Sequence, residues 1–173
     1  MTSTAGSPTP LARSVSRAAV VTHGQPKQVG AGVARLQAVA AEHGVELYFP
    51  SEEAEKHGLE PALDLAAVDI AVVLGGDGTV LRALTRFLGT GVPVVGVNFG
   101  RVGFLSSMGR RDLESGLARV FAGEYDIVEL PTLEVEHPGG IGRAVNDVVV
   151  DPVKREQERI REREREKERL KQK

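Results

Sequence analysis

Five consecutive apolar residues, Ile70-Ala71-Val72-Val73-Leu74, run straight into Gly75-Gly76-Asp77-Gly78-Thr79. The apolar run is rich in β-branched side chains and reads as a buried strand. Val80 to Leu88 can continue as a helix. A strand that breaks into glycines and then a helix puts Asp77 at the strand's carboxyl end, where open α/β sheets bind ligands. Glycine lets backbone N–H groups come close to a bound group, and a helix N-terminus favours anions. A carboxylate repels a phosphate, so Asp77 calls for a different job: taking a proton or holding a metal. The plain alternative is a tight turn in which glycine supplies positive φ and Asp77 bonds its own loop.

The flanking sequence repeats the pattern. Ala18–Val21 reads as a first strand, ending at Thr22-His23-Gly24. Val29 to Glu42 carries Val29, Val33, Leu36 and Ala40 at helical spacing, with Gly44 as a stop. Residues 45–49 form a second strand. The polar stretch from Ser51 to Leu65 holds a short helix at 51–57. After the helix at 80–88, Val92–Val97 is the next strand, with Pro93 at its start. Asn98 to Gly109 is a glycine-rich loop, and Arg111 to Ala122 is another helix. Strands alternating with helices predict an α/β fold with an open, mostly parallel sheet flanked by helices.

Beyond Gly123 the pattern changes. Tyr125–Glu136 alternates roughly between apolar and charged residues. Pro138-Gly139-Gly140 makes a turn, and Val145–Val150 is a second strand candidate. This predicts a short β remnant, the opening hairpin of an antiparallel unit. The organisation expected is a disordered leader (1–17), an α/β nucleotide-binding domain (18–124), the start of a β-rich domain (125–151) and a charged low-complexity tail (152–173).

Composition narrows the function. Hydrophobic residues make up 41% of the 173, enough for a real core. There is no cysteine, which excludes disulfides, thiolate nucleophiles and cysteine-ligated metals. No apolar stretch reaches the roughly 20 residues that span a bilayer, and a cytoplasmic setting fits. Ten Lys/Arg against six Glu give residues 154–173 a net charge of +4, leaving the remainder at −6. An acidic body with 4% aromatics argues against a nucleic-acid partner. The four histidines, His23, His43, His57 and His137, show no zinc-type pairing and read as surface residues. No GxxxxGK[ST] run and no GxGxxG spacing exists. Asn146-Asp147 offers an amide and a carboxylate suited to ribose hydroxyls; its plain alternative is a strand end bonded to its own backbone.

Three blocks together resemble the NAD kinase family. The first is Val72 to Arg82, around Gly75-Gly76-Asp77-Gly78-Thr79. The second is Val94-Val95-Gly96-Val97-Asn98-Phe99-Gly100-Arg101-Val102-Gly103-Phe104-Leu105. The third is Ala144 to Val150, where Asp147 stands in place of the family's usual Glu. The resemblance covers residues 17–150 and implies phosphorylation of the adenosine-ribose 2′-hydroxyl of NAD by ATP, or by polyphosphate, giving NADP. It implies Asp77 as general base and Gly75, Gly76, Gly78 and Thr79 beside the phosphates. It further implies Arg82, Asn98 and Phe104 as nucleotide contacts and Asn146 and Asp147 on NAD hydroxyl or amide groups. Mg²⁺ would bridge the ATP oxygens, with no protein cage of its own in view. Family members continue into a longer β-rich domain that supplies much of the NAD pocket and the homo-oligomer interface. Two alternatives follow: a non-catalytic nucleotide-binding fragment, or a diacylglycerol-type lipid kinase, which shares the glycine–aspartate block.

Overall fold

The computed structural model describes residues 13–23, 26–61, 67–100, 103–137 and 140–145. The chain divides into two units, Met1–Pro131 and Thr132–Lys173. In the first, elements follow in the order β1 (Arg17–Thr22), α1 (Pro26–His43), β2 (Glu46–Tyr48), α2 (Ser51–His57), β3 (Ile70–Gly75), α3 (Asp77–Arg86), β4 (Val94–Asn98), β5 (Met108–Gly109) and α4 (Leu113–Phe121). A 3-10 turn at Arg110–Asp112 leads into α4. The sheet has five parallel strands in the order β2-β1-β3-β4-β5.

Period-two alternation sorts each strand's side chains to two faces. Ala18, Val20, Ile70, Val72, Leu74, Val95 and Val97 point to the face covered by α1 and α4. Ala19, Val21, Ala71 and Val73 point to the face covered by Val80, Ala83 and Phe87 of α3 and its C-terminal turn. β3 lies between β1 and β4 and is buried along its whole length. This is why its sequence is continuously apolar rather than alternating. Truncating Leu74, which is fully buried, to Ala would cost about 2–5 kcal/mol. Helix α1 ends at Gly44, whose φ of 65° a side chain would strain. At Gly96 an added Cβ would come within 3.0 Å of Val80 and 3.1 Å of the Ser106 backbone, so glycine lets α3 and the following loop close onto β4.

The structure changes several expectations. Helix α3 starts at Asp77, not at Val80, so the block from Asp77 to Thr79 is a first helical turn rather than a loop. Gly75, Gly76 and Gly78 are not among the glycines with positive φ. Space, not a left-handed turn, explains Gly75: a Cβ there would overlap Thr79. Strand β5, two residues inside the expected loop, was not foreseen, being too short to carry a period. Part of the expected leader is fixed to the body. Val15 is buried and its N–H donates to the Phe121 carbonyl at 3.0 Å, while the N–H groups of Ser16 and Arg17 donate to Asp69 at 2.8 Å each. Residues 1–12 lie outside the described residues.

The second unit contains a hairpin of β6 (Leu133–His137) and β7 (Gly140–Ala144), paired antiparallel. Strand β7 begins at Gly140, ahead of the strand expected from Val145. Arg143 faces Glu134 across the pair, and the two are hydrogen-bonded at 2.8 Å. The rest of the expected strand, with Asn146 and Asp147, and the charged tail lie outside the described residues.

Candidate functional site

The strand order turns back between β1 and β3. From β1 the chain steps outward to β2, then crosses to β3 on β1's other side. Connections leaving the two strands in opposite directions open a crevice at their carboxyl ends, the place where such sheets take ligands. Thr22 ends β1 level with Leu74, and Gly75 ends β3 level with Asn98. Asp77 and Asn98 therefore stand at the same sheet edge. The ladder continues past the strands: the His23 N–H donates to the Leu74 carbonyl at 2.9 Å, and the Phe99 N–H to the Gly75 carbonyl at 3.0 Å.

Gly76 caps α3 in an extended conformation without any side-chain cap. The Asp77 and Gly78 N–H groups at the start of the helix have no acceptor within it, whereas those of Thr79 and Val80 donate to the Gly76 carbonyl at 2.9 and 3.1 Å. Gly78 is exposed, and an added Cβ there meets nothing within 4 Å. Thr79 turns inward and is buried.

Asp77 is held by the loop that follows β4. Its Oδ2 accepts the Phe104 N–H at 2.8 Å and its Oδ1 accepts the Leu105 N–H at 3.2 Å. This contact depends on Gly103, where an added Cβ would overlap the Asp77 carboxylate. Glycine at 103 thus serves close approach, a requirement the sequence pattern did not reveal. Phe104 is 94% exposed, so the residue whose N–H holds the carboxylate leaves its ring open to solvent. Asn98 accepts the Gly100 N–H through Oδ1 at 2.8 Å, an Asx-type turn that shapes the loop. Next to it the Phe99 ring packs where a Cβ on Gly32 of α1 would stand, with the Arg110 guanidinium 5.3 Å above its centroid.

Arg82 lies on α3 beyond Asp77. Its Nη2 donates to the Thr22 carbonyl at 2.5 Å and pairs with Glu53 Oε1 at 3.5 Å. Glu53 is only 1% exposed. Its Oε2 accepts the Thr22 N–H at 3.1 Å and the Thr22 hydroxyl at 2.6 Å, and its Oε1 accepts from Lys56 at 3.0 Å. The Thr22 hydroxyl also meets His57 Nε2 at 2.9 Å. A carboxylate between two cations only accepts, so the Thr22 proton points to Glu53 and His57 donates from Nε2. His57 is half-buried rather than a plain surface residue. Burial pushes its pKa below the ordinary value; Glu53 opposes that effect and Lys56 adds to it.

The structure brings Gly75, Gly76, Asp77, Gly78, Thr79, Arg82, Asn98 and Phe104 to one edge; Asn146 and Asp147 lie outside the described residues. Thr22, Glu53, Lys56 and His57 were not anticipated there. The only hint was a threonine at a strand end and an acid on the inward side of a short polar helix. A groove of about 330 Å³ opens at the β2 edge, lined by Gln37, Ala40, Val45, Phe49 and Leu59 among others. Its lining is mostly apolar, with Gln37 and Glu60 as its polar residues. No helix among the described residues is long and apolar enough to cross a membrane.

Comparison with known proteins gives a consistent picture. The pattern described as the ATP-NAD kinase N-terminal domain matches residues 18–125. An NAD kinase of Leifsonia xyli subsp. xyli is 33% identical over 154 residues, covering 80% of this chain and 51% of that one. One from Nitratidesulfovibrio vulgaris is 46% identical over 87 residues, 47% of this chain and 31% of that one. The chain thus spans about half, or less, of the length of these curated relatives. Among solved structures, an NAD kinase from Archaeoglobus fulgidus in complex with ATP aligns with a TM-score of 0.52 at 27% identity, over 72% of this chain and 45% of that one. Yeast NADH kinase complexed with NADH shares the fold, with a TM-score of 0.60 at 19% identity over 76% of this chain and 46% of that one.

Proposed function

Because the chain belongs to the NAD kinase family through its ATP-NAD kinase N-terminal domain, we propose that its switch-point edge takes ATP and NAD and transfers a phosphoryl group to the 2′-hydroxyl of the adenosine ribose. The observation that carries this reading is the Asp77 carboxylate, fixed at the N-terminus of α3 by two backbone N–H groups. Each carboxylate oxygen has two lone pairs. One N–H on each leaves both oxygens able to accept a further proton. Asp77 accepts the 2′-hydroxyl proton as that oxygen attacks the γ-phosphorus, and the phosphorus–oxygen bond to the β-phosphate breaks. Phosphoryl transfer depends mainly on positioning and charge stabilisation. The exposed glycine backbone of the first α3 turn and the helix dipole supply part of that charge stabilisation.

Phe104 offers its exposed ring to a base, and Arg82 offers N–H groups to a phosphate oxygen. Asn98 shapes the loop beside them; Asn146 and Asp147 take NAD hydroxyl or amide groups. Mg²⁺ would be held here as a hard cation chiefly by the phosphate oxygens. Among the described residues no group of three or more His, Asp or Glu side chains converges elsewhere to hold it. When bound, it would neutralise charge on the nucleotide's phosphate oxygens. Polyphosphate is the alternative donor. A cytoplasmic setting and a homo-oligomer completed by a β-rich domain go with the same reading.

NADP formation from NAD, ATP and Mg²⁺ by the 173-residue chain tests it. Asp77→Asn should abolish that turnover while lowering stability by only about 1–2 kcal/mol, since one N–H loses its acceptor. Because the chain spans half or less of its relatives' length, the competing reading is a non-catalytic nucleotide-binding fragment. Nucleotide binding with no NADP above a blank would favour that fragment. Family membership removes the lipid-kinase alternative.

A further inference from the structure

We infer that Glu53 is a positioning residue for this nucleotide site, acting through Arg82; the inference rests on the reading just proposed. Three elements meet at Glu53. Helix α2 carries it, β1 ends on it through Thr22, and α3 reaches it through Arg82. A carboxylate that is 1% exposed is expensive to bury unless it is paired with a cation and hydrogen-bonded. Lys56 and the Thr22 N–H and hydroxyl already meet that need, at 3.0, 3.1 and 2.6 Å. Arg82 is therefore a second cation on an anion already paired, and the trio carries a net charge of +1 beside the β1–β3 crevice.

The attachment of Arg82 is one-sided. Only Nη2 is engaged, by the Thr22 carbonyl and Glu53. The N–H groups on Nε and Nη1 meet no acceptor among the described residues, and the side chain is 49% exposed. A guanidinium pinned at one corner keeps its plane and leaves the N–H groups on Nε and Nη1 to donate elsewhere. Each of these N–H groups can donate to a phosphate oxygen, at a lower entropic cost than on a free arginine. The shared ligand chemistry is a nucleotide phosphate, from ATP or from NAD.

The experiment uses the 173-residue chain with Glu53→Gln, Arg82→Gln and the double variant. Binding of ATP and of NAD is measured separately by titration calorimetry, and side-chain ¹⁵N NMR follows the Arg82 guanidinium. In the wild-type background Glu53→Gln should weaken one of the two nucleotides roughly tenfold. In the Arg82→Gln background it should change nothing further. The nucleotide affected identifies the phosphate source. Rotation of the Arg82 guanidinium should be slow in the wild type and fast in Glu53→Gln. An equal loss of affinity in both backgrounds overturns the inference, because a carboxylate that only holds the fold does not act through Arg82. Unchanged affinity in Glu53→Gln, or rotation equally fast in both proteins, overturns it as well. If the wild type binds neither nucleotide, the nucleotide-site reading fails too. Slow, Glu53-dependent rotation would then record a clamp on the fold alone.

Discussion

At the scale of single residues, each carboxylate at this edge is defined by what donates to it. Asp77 receives two backbone N–H groups from one loop, and that arrangement exists because residue 103 has no side chain. Gly103→Ala must push the loop or the carboxylate aside by a distance that matters for in-line transfer. Under the function proposed above, NADP formation should fall about a hundredfold. Amide exchange at Phe104 and Leu105 should speed up, and exchange rates matching the wild type would sink the explanation. His57 gives a pH prediction. Its folded pKa lies below its ordinary value near 6.5, chiefly through burial. Above that value it is neutral in folded and unfolded chains alike and has no effect. As pH falls from about 6.5 toward the folded value, the unfolded chain takes up a proton that the fold does not, so stability is lost. His57→Gln should show a smaller drop in melting temperature between about pH 7.5 and 5.5 than the wild type. An identical drop would place the acid sensitivity in another group.

Among the elements, the β3–α3 junction carries the most information. Its three glycines share a motif but do different physical work. At Gly75 an added Cβ would lie within 2.7 Å of the Thr79 Cβ. Gly75→Ala should therefore destabilise by about 1–3 kcal/mol in chemical denaturation. Gly78 sits in the first turn of α3 with open space around it. Alanine there should leave the fold unchanged or stabilise it by up to about 1 kcal/mol. Equal losses at both positions would show that the motif is a turn after all. The element order was legible because period-two and 3.6-residue patterns encode burial locally. Ala18–Val21, Val29–Glu42, residues 51–57 and Val92–Val97 all read correctly to within a few residues. The start of α3 did not, because glycine and aspartate signal a turn unless tertiary packing supplies the partners of the helix end. The two-residue β5 was invisible, since its pairing with Val97 and Asn98 is a contact across the sheet rather than a pattern along the chain.

For the whole molecule, both clusters of buried side chains are drawn from residues between Val15 and Tyr125, close to the span of the family match. Deleting residues 154–173 should leave the far-UV circular dichroism and unfolding midpoint of this body unchanged; a collapse of the sheet signal would show that the tail packs. Sequence alone determined an alternating α/β chain, a buried central strand and a carboxylate at its end. Each of these follows from side-chain polarity and spacing within about fifteen residues. The resemblance to NAD kinases added a chemistry to that carboxylate. Tertiary structure alone decided that a threonine at position 22, an acid at 53 and an arginine at 82 form one charged cluster. That decision belongs to strand order: β2 and β3 lie on opposite sides of β1, so the ends of β1 and β3 are neighbours, and α2, which follows β2, reaches Thr22 through Glu53. The burial of Glu53 and the paired corner of Arg82 come from residues remote in sequence, so no local pattern could have announced them.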